Sequence, residues 1–145
     1  MVQKLRKRMG REEGFTLVEL LVVMLILGLL AAIAIPSFFN QRDKARDADS
    51  KSAARTAQTA IETYATDNGG SYAGATAVGL EGIEETLTDA DLNEPVTGPE
   101  TYTVSVTTPD TGNVFSISRT ATGATTQTCT DTEEAGCPAD GNWGD

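Results

Sequence analysis

GFTLVELLVVMLILGLLAAIAIP, from Gly14 to Pro36, is the stretch that decides the fold. The 21 residues from Phe15 to Ile35 contain no basic residue and a single acidic one, Glu19. At ~1.5 Å rise per residue, a helix of this length extends roughly 31 Å, about the thickness of the hydrocarbon layer of a membrane. The stretch therefore predicts a helix that can span a bilayer.

Glu19 is the feature of this stretch that composition does not explain. A carboxylate at the centre of a membrane helix costs ~2.5–3.5 kcal/mol on insertion scales, and less near the interface. An ionisable residue inside a membrane is a candidate functional residue and needs a partner. No Lys or Arg lies between Phe15 and Gln41. A free α-amino group could neutralise the carboxylate if the chain began at Phe15.

Three interpretations of the stretch are open at this point. It could be a plain membrane anchor. It could be a secretory signal peptide with a basic start, an apolar middle and an A-x-A cleavage site at Ala32–Ala34. The third interpretation gives Glu19 a role in assembly, because neither an anchor nor a disposable signal gains anything from a buried carboxylate.

The segment Gly14–Glu19, followed by an apolar run, resembles the N-terminal signal of type IV prepilins and pseudopilins. The similarity continues through Gly28, the run Ala31–Ile35 and Pro36, each at the family's spacing from Phe15. It covers about the first 55 residues. The leader ends in glycine before the apolar run, whereas an ordinary signal peptidase would cut after that run, near Ala34.

The resemblance implies specific roles for five residues. A prepilin peptidase would cut between Gly14 and Phe15 and methylate the new amine of Phe15. Glu19 would then pair with the Phe15 amine of a neighbouring subunit during assembly. Gly28 and Pro36 mark the segment in which the helices of the family's filaments are expected to break.

The resemblance also implies partners and a location. The partners are further copies of the chain in a helical filament, prepilin peptidase, the assembly platform and ATPase machinery, and membrane lipid before assembly. The location is the cytoplasmic membrane, as a single-pass protein with its N-terminus inside, and then a filament at the cell surface. One alternative is a major pseudopilin of a type II secretion or competence system. A different class is a secreted binding module with an ordinary signal peptide.

The charge of the chain is strongly divided. The net charge is −10, but the first fourteen residues carry five basic and two acidic side chains, so the remainder carries −13. The basic end should stay in the cytoplasm while the acidic part crosses the membrane. An acidic surface repels nucleic acid, so no nucleic-acid partner is expected. The chain has no histidine, which removes the usual triads, and neither an enzyme nor a cofactor is expected.

Cys129 and Cys137 could form a disulfide, remain free thiols or supply half of a metal site. Their spacing matches no zinc pattern, and no histidine can complete one. A disulfide requires an oxidising compartment, and the charge asymmetry supports export, which favours the disulfide. The resembling family often closes its C-terminal loop in this way. Some secretion pseudopilins bind calcium, and four acidic residues crowd this loop without an EF-hand order: Asp131, Glu133, Glu134 and Asp140.

The pattern divides the chain into four segments. The resemblance implies that residues 1–14 form a basic leader that is removed and that residues 15–36 form a transmembrane and filament-core helix. Residues 37–68 form an amphipathic continuation of the helix and residues 69–145 a globular head. The run Asn40–Ser52 predicts a solvated helix face, with the alternative that Arg42, Lys44 and Arg46 meet acidic patches on adjacent subunits. A small-residue stripe at helical spacing follows it, formed by Ala53, Ala57, Ala60, Ile61 and Tyr64.

The head predicts a short helix near Glu81–Leu87 and three strands. Alternation places Tyr102, Val104 and Val106 on one face of the first strand and Phe115 and Ile117 on one face of the second, with residues 125–130 as the third. Trp143 is interpreted as a packing residue. The predicted fold class is α+β: a long N-terminal α-helix, apolar in its first half, packed by its second half on a small three- to four-stranded antiparallel sheet with a disulfide-closed C-terminal loop.

Overall fold

The computed structural model describes residues 14–130 and 135–144. The basic leader up to residue 13 and three of the candidate calcium ligands, Asp131, Glu133 and Glu134, lie outside the described residues. The chain divides into two compact units, residues 1–38 and 39–145. Each is described by itself below.

Helix α1, Leu17–Asp67, is the first element and contributes to both units. Its part within the first unit presents exposed apolar side chains that no other described segment covers, and Phe15, just before it, is 77% exposed. Pro36 lies inside the helix, and the helical assignment continues through Gly28 and Pro36 without interruption. The predicted helix break at these two residues concerns the assembled filament and stays a prediction.

The C-terminal half of α1 packs on the head through the predicted stripe. Ala57, Ala60 and Ile61 are fully buried, and Ala53 and Tyr64 are partly buried against the same core. Because alanine has almost no side chain, these positions leave room in the shared core for the large side chains of the sheet. The helix ends where the sequence Asp67–Gly70 predicts: Gly69 has φ 68°, and the amide of Gly70 donates to the carbonyl of Ala65 at 2.7 Å.

The segment between α1 and the long strands of the sheet contains more secondary structure than the sequence indicated. Helix α2 spans Ala77–Ile83, and a 3-10 helix follows at Glu85–Asp89, so the predicted single helix at Glu81–Leu87 had the wrong bounds. The earlier start is explained by Thr76, whose hydroxyl accepts a hydrogen bond from the amide of Gly79 as an N-cap. Leu80 and Leu87, one in each of these helices, are completely buried.

The sheet is antiparallel and has five strands: β1 (Asp91–Leu92), β2 (Val96–Thr97), β3 (Tyr102–Thr107), β4 (Val114–Arg119) and β5 (Thr125–Thr130). The long strands follow the order β3-β4-β5, while β1 and β2 both pair with the outer edge of β3. The three long strands were predicted. The two-residue strands were not, because a strand this short has no alternation to detect.

The core lies between the helix and one face of this sheet. Tyr102, Val104 and Val106 of β3 and Phe115 and Ile117 of β4 all point inward, as their alternation predicted. The predicted α+β class, with the second half of a long helix packed on a small antiparallel sheet, is confirmed.

Candidate functional site

The peptide bond between Gly14 and Phe15 lies in exposed, non-helical backbone. Residues 14–16 precede the first helical residue, Leu17, and all three are exposed. A bond in this position is open to an enzyme without unwinding of α1. The predicted cleavage bond is therefore accessible, whereas the rival cleavage position after Ala34 lies within the helix.

Gly14 and Gly28 are not required by packing within the chain. A Cβ atom built at either position meets no heavy atom within 4 Å, and neither glycine has a positive φ. In the middle of a helix, Gly28 costs about 1 kcal/mol relative to alanine. A reason for glycine at these positions must therefore come from contacts that the isolated chain does not make.

Glu19 and Thr16 form a capping box at the start of α1. The amide of Glu19 donates to the hydroxyl of Thr16 at 3.2 Å, and the amide and hydroxyl of Thr16 both approach the carboxylate of Glu19 at 3.4 Å. This is the S/T-x-x-E arrangement, in which two residues satisfy each other's free amides. The signal was present in the sequence as Thr16–Glu19, and reasoning about membrane charge alone missed it. Glu19 has no cationic partner among these contacts.

The apolar surface of α1 is the second part of the site. The large side chains from Phe15 to Ile35 are all exposed, and the helix is long and apolar enough to cross a membrane by length and composition. An uncovered apolar surface of this extent indicates burial in lipid or against other chains.

Cys129 and Cys137 form a disulfide with a Cα–Cα distance of 5.9 Å. Both cysteines are thereby accounted for, which removes the free-thiol and metal-site alternatives. The bond ties β5 to residues 135–144, which we call the C-terminal strap. Trp143 of this strap packs edge-on against Phe115 with ring centroids 5.9 Å apart, so its predicted packing role is confirmed.

The described part of the chain shows no calcium-binding group. Within residues 14–130 and 135–144, no group of three or more acidic or cysteine side chains is placed to hold a metal ion. Of the four candidate ligands, only Asp140 is described, and its carboxylate accepts a hydrogen bond from the amide of Asn142.

Asp47 is a buried charge that the sequence interpretation missed. It was part of the run assigned to a solvated helix face, but it is completely buried. Its carboxylate accepts hydrogen bonds from the hydroxyl of Thr111, the side-chain amide of Asn113 and the backbone amide of Gly136. Such a fully bonded carboxylate ties α1 to the β3–β4 turn and to the C-terminal strap.

The basic residues of the helix mostly find partners within the head. Arg42 and Arg46 both form ion pairs with Asp110, so two of the three cations considered for contacts between subunits have a partner in their own chain. At the end of β4 away from Asp110, Arg119 approaches Glu62 of the helix at 3.5 Å. For Lys44, by contrast, the described residues provide no ion-pair partner.

Glu62 is also the acceptor for two buried tyrosines. Tyr72 and Tyr102 donate their hydroxyl protons to its two carboxylate oxygens at 2.8 and 3.0 Å. Burial raises the pKa of Tyr102 to about 12, while a hydrogen bond with Gln58 lowers it and the Glu62 carboxylate raises it further. The pKa of Tyr72 is raised as well, first by burial.

These features define a class: a chain with an exposed, non-helical Gly14–Phe15 bond, a membrane-length helix with exposed apolar side chains and an acidic α+β head. Residues 9–35 match a family model described as the prokaryotic N-terminal methylation motif. The type IV narrow pilus major component PilA5 of Thermus thermophilus is 39% identical over 80 residues, which cover 46% of this chain and 69% of that protein. The chain belongs to the type IV pilin and pseudopilin family.

Other relatives include both a type II secretion protein and a type IV fimbrial protein. The type II secretion system core protein G of Aeromonas hydrophila is 33% identical over 90 residues, covering 62% of this chain and 56% of that protein. The type IV major fimbrial protein FimA of Dichelobacter nodosus is 40% identical over 81 residues, covering 56% of this chain and 49% of that protein. The chain thus spans about half the length of these two curated relatives. No solved structure gives a significant match.

Proposed function

We propose that the chain is a structural subunit of a type IV pilus-like helical filament. The observation that carries the proposal is the combination of an exposed Gly14–Phe15 bond with a membrane-length helix whose apolar side chains are exposed among the described residues. The subunit is held in the cytoplasmic membrane with its N-terminus inside. Prepilin peptidase cuts after Gly14 and methylates Phe15. An assembly ATPase and a platform protein then drive polymerisation of the mature subunits.

In the proposed filament the apolar helices bury one another, and the acidic heads face outward. The N-terminal amine created at Phe15 pairs with Glu19 of a neighbouring subunit, which neutralises the carboxylate within the apolar filament core. Gly28 and Pro36 give the helix a weak segment that can open during packing, because proline lacks an amide proton and glycine lowers helix propensity.

A pseudopilin of a type II secretion or competence system is the second candidate. The relatives named as core protein G favour it. The disulfide favours a pilin. Electron microscopy of material sheared from cells would separate long pili from short pseudopili.

Mass spectrometry of the mature protein tests processing directly. We expect an N-terminus at methylated Phe15. An N-terminus near Ile35 would instead mean ordinary signal-peptide cleavage and a secreted binding module, and the filament proposal would be abandoned.

Glu19→Gln tests the proposed pairing. Glutamine keeps the shape and can still cap the helix, but it has no charge to attract an amine. We expect the variant to insert and to be cleaved normally while filament yield falls at least about tenfold, since a buried pair that loses one partner leaves the other uncompensated. Filament yield is measured by immunoblotting of sheared surface material against total cellular protein.

Thr16→Ala is the matched control for the capping box. It removes the hydroxyl that binds Glu19 in the isolated chain and leaves the carboxylate in place. We expect filament yield close to that of the unaltered chain. If Thr16→Ala reduces assembly as strongly as Glu19→Gln, Glu19 acts through helix capping and the pairing proposal is wrong.

A further inference from the structure

The peptide group of Gly136 is held between two side chains of α1. Its amide donates to the carboxylate of Asp47 at 2.7 Å, and its carbonyl accepts a hydrogen bond from the ammonium of Lys51. Asp47 and Lys51 are four residues apart, so they lie on the same face of the helix. Both contacts involve a charged group, which makes them stronger than ordinary hydrogen bonds.

Position 136 has no room for a side chain next to the helix, so it favours glycine. A Cβ atom at position 136 would lie 2.7 Å from the Cβ atom of Asp47. The C-terminal strap therefore runs directly against the helix at the residue before Cys137. Lys51 is fixed from a second side, because its ammonium lies 5.2 Å from the centre of the Phe115 ring.

The strap is held independently beyond Cys137. The amide of Cys129 donates to the carbonyl of Gly141 at 2.8 Å, and the indole nitrogen of Trp143 donates to the carbonyl of Thr128 at 2.8 Å. The guanidinium of Arg55 lies 5.1 Å from the centre of the Trp143 ring. Cys137 is thus flanked on both sides by non-covalent contacts, and none of these contacts involves the two sulfur atoms.

We propose that Asp47 and Lys51 are positioning residues for formation of the Cys129–Cys137 disulfide. By fixing Gly136 on the helix, they hold the thiol of Cys137 next to that of Cys129 before the bond exists. In the reaction, one cysteine attacks a small disulfide oxidant such as oxidised glutathione and releases one glutathione thiol. The second cysteine then displaces the other glutathione thiol, so one protein S–S bond forms, the oxidant is reduced, and the two cysteine protons end on two glutathione molecules.

Positioning matters because two other products compete with ring closure. The first cysteine to react can remain a mixed disulfide, or it can capture a cysteine of another subunit. Ring closure within the chain is favoured in proportion to the effective concentration of one thiol at the other. This inference does not depend on filament assembly, and its test is made on unassembled protein.

The test uses the full chain in detergent micelles, equilibrated with mixtures of reduced and oxidised glutathione. Free thiols are trapped with a maleimide, and the species are quantified by mass spectrometry. We expect Lys51→Met to lower the effective concentration of the Cys137 thiol at Cys129 about tenfold and to increase the mixed disulfide. The reason is that one of the two hydrogen bonds between α1 and the Gly136 peptide group is lost. Lys51→Arg should restore much of the effect. Lys44→Met is the matched control, since Lys44 lies on the same helix without an ion-pair partner among the described residues, and it should change nothing.

Two further measurements distinguish positioning from general stability. Trp143 is the only tryptophan in the sequence, so its fluorescence reports directly whether the strap is docked. In the reduced, unaltered chain we expect emission close to that of the oxidised chain. In reduced Lys51→Met and Gly136→Ala we expect emission shifted towards that of exposed tryptophan. The circular dichroism spectrum of the full chain should stay unchanged, which shows that the fold of the head is kept.

The proposal is overturned if Lys51→Met and Gly136→Ala both keep the effective concentration of the unaltered chain. It is also overturned if the reduced, unaltered chain already shows exposed Trp143, because the strap would then be held by the disulfide alone. Asp47→Asn should act in the same direction as Lys51→Met. Since Asp47 also binds the β3–β4 turn, the Lys51 and Gly136 variants decide the question if that protein fails to fold.

Discussion

Tyr102 shows how a single buried group makes the stability of the head depend on pH. Its ring is almost completely buried and its hydroxyl donates to Glu62. Burial raises its pKa to about 12, from an ordinary value of 10.0. The folded head therefore holds a proton that the unfolded chain releases above pH 10.0, so this contribution to stability is complete below that pH and is lost as the pH rises towards 12.

We expect the loss to amount to roughly 2–3 kcal/mol across this range, because each unit of pKa difference corresponds to about 1.36 kcal/mol. Thermal unfolding of the full chain, followed by circular dichroism at several pH values above 9, measures it. Tyr102→Phe should lower stability at neutral pH by about 1 kcal/mol through the lost hydrogen bond and should flatten the alkaline decline. An equally steep decline in the variant would assign the effect to other groups.

Single residues also show what can and cannot be singled out from the sequence. Glu19 could be singled out because a lone carboxylate in an apolar run is costly in any fold. Asp47 could not, because it sits among other charged residues in a run that predicts a solvated face. Its burial depends on Thr111, Asn113 and Gly136, which lie 64 to 89 residues further along the chain. Only the tertiary fold brings these partners together.

At the scale of elements, the helix-on-sheet contact carries most of the head's core. The helix contributes mostly alanines together with Ile61, and the sheet contributes larger residues, including Tyr102 and Phe115. This division was predictable from periodicity, since the helical stripe is rich in alanine and the first two long strands alternate apolar and polar residues. The short strands β1 and β2 were not predictable, because their pairing depends on the edge of strand β3 and not on a pattern in their own two residues.

Ala57→Leu tests the closeness of this contact. Ala57 has no exposed surface, so a larger side chain must separate the helix from the sheet. We expect the free energy of unfolding to fall by about 1–3 kcal/mol, as is typical of overpacking. Urea denaturation of the full chain in detergent measures the change.

Ala48→Leu is the matched control for this substitution. Ala48 lies on the same helix but is exposed, so its replacement should change stability by no more than about 0.5 kcal/mol. Equal effects at the two positions would contradict a tight contact at Ala57.

At the scale of the whole molecule, charge is distributed so that the head is acidic and its few cations are used internally. Without its first fourteen residues the chain carries a net charge of −13 and only six basic residues. Five of these engage partners in the same chain: Arg42 and Arg46 with Asp110, Lys51 with Gly136, Arg55 with Trp143, and Arg119 with Glu62. Few cations are therefore left to attract the acidic surface of another head.

This distribution predicts how salt affects the proposed filament. Acidic heads that surround an apolar core repel one another, and the range of that repulsion falls from about 10 Å at 0.1 M salt to about 3 Å at 1 M. The apolar core is not weakened by salt. We therefore expect filaments of the mature chain to be more stable at high salt than at low salt. The fraction of protein that sediments as filament after dialysis into about 0.1 M or about 1 M sodium chloride measures this.

Circular dichroism of the same samples serves as the control, because it shows whether the head itself responds to salt. The opposite result, filaments that dissolve as salt is raised, would mean that ion pairs between subunits outweigh the repulsion between heads. Lys44 would then be the first residue to examine, since it is the basic residue after position 14 for which the described part of the structure gives no ion pair, no hydrogen bond and no ring contact. The direction of the salt effect therefore decides between two cases. Either repulsion between the acidic heads opposes assembly and salt screens it, or ion pairs between subunits favour assembly and salt weakens them.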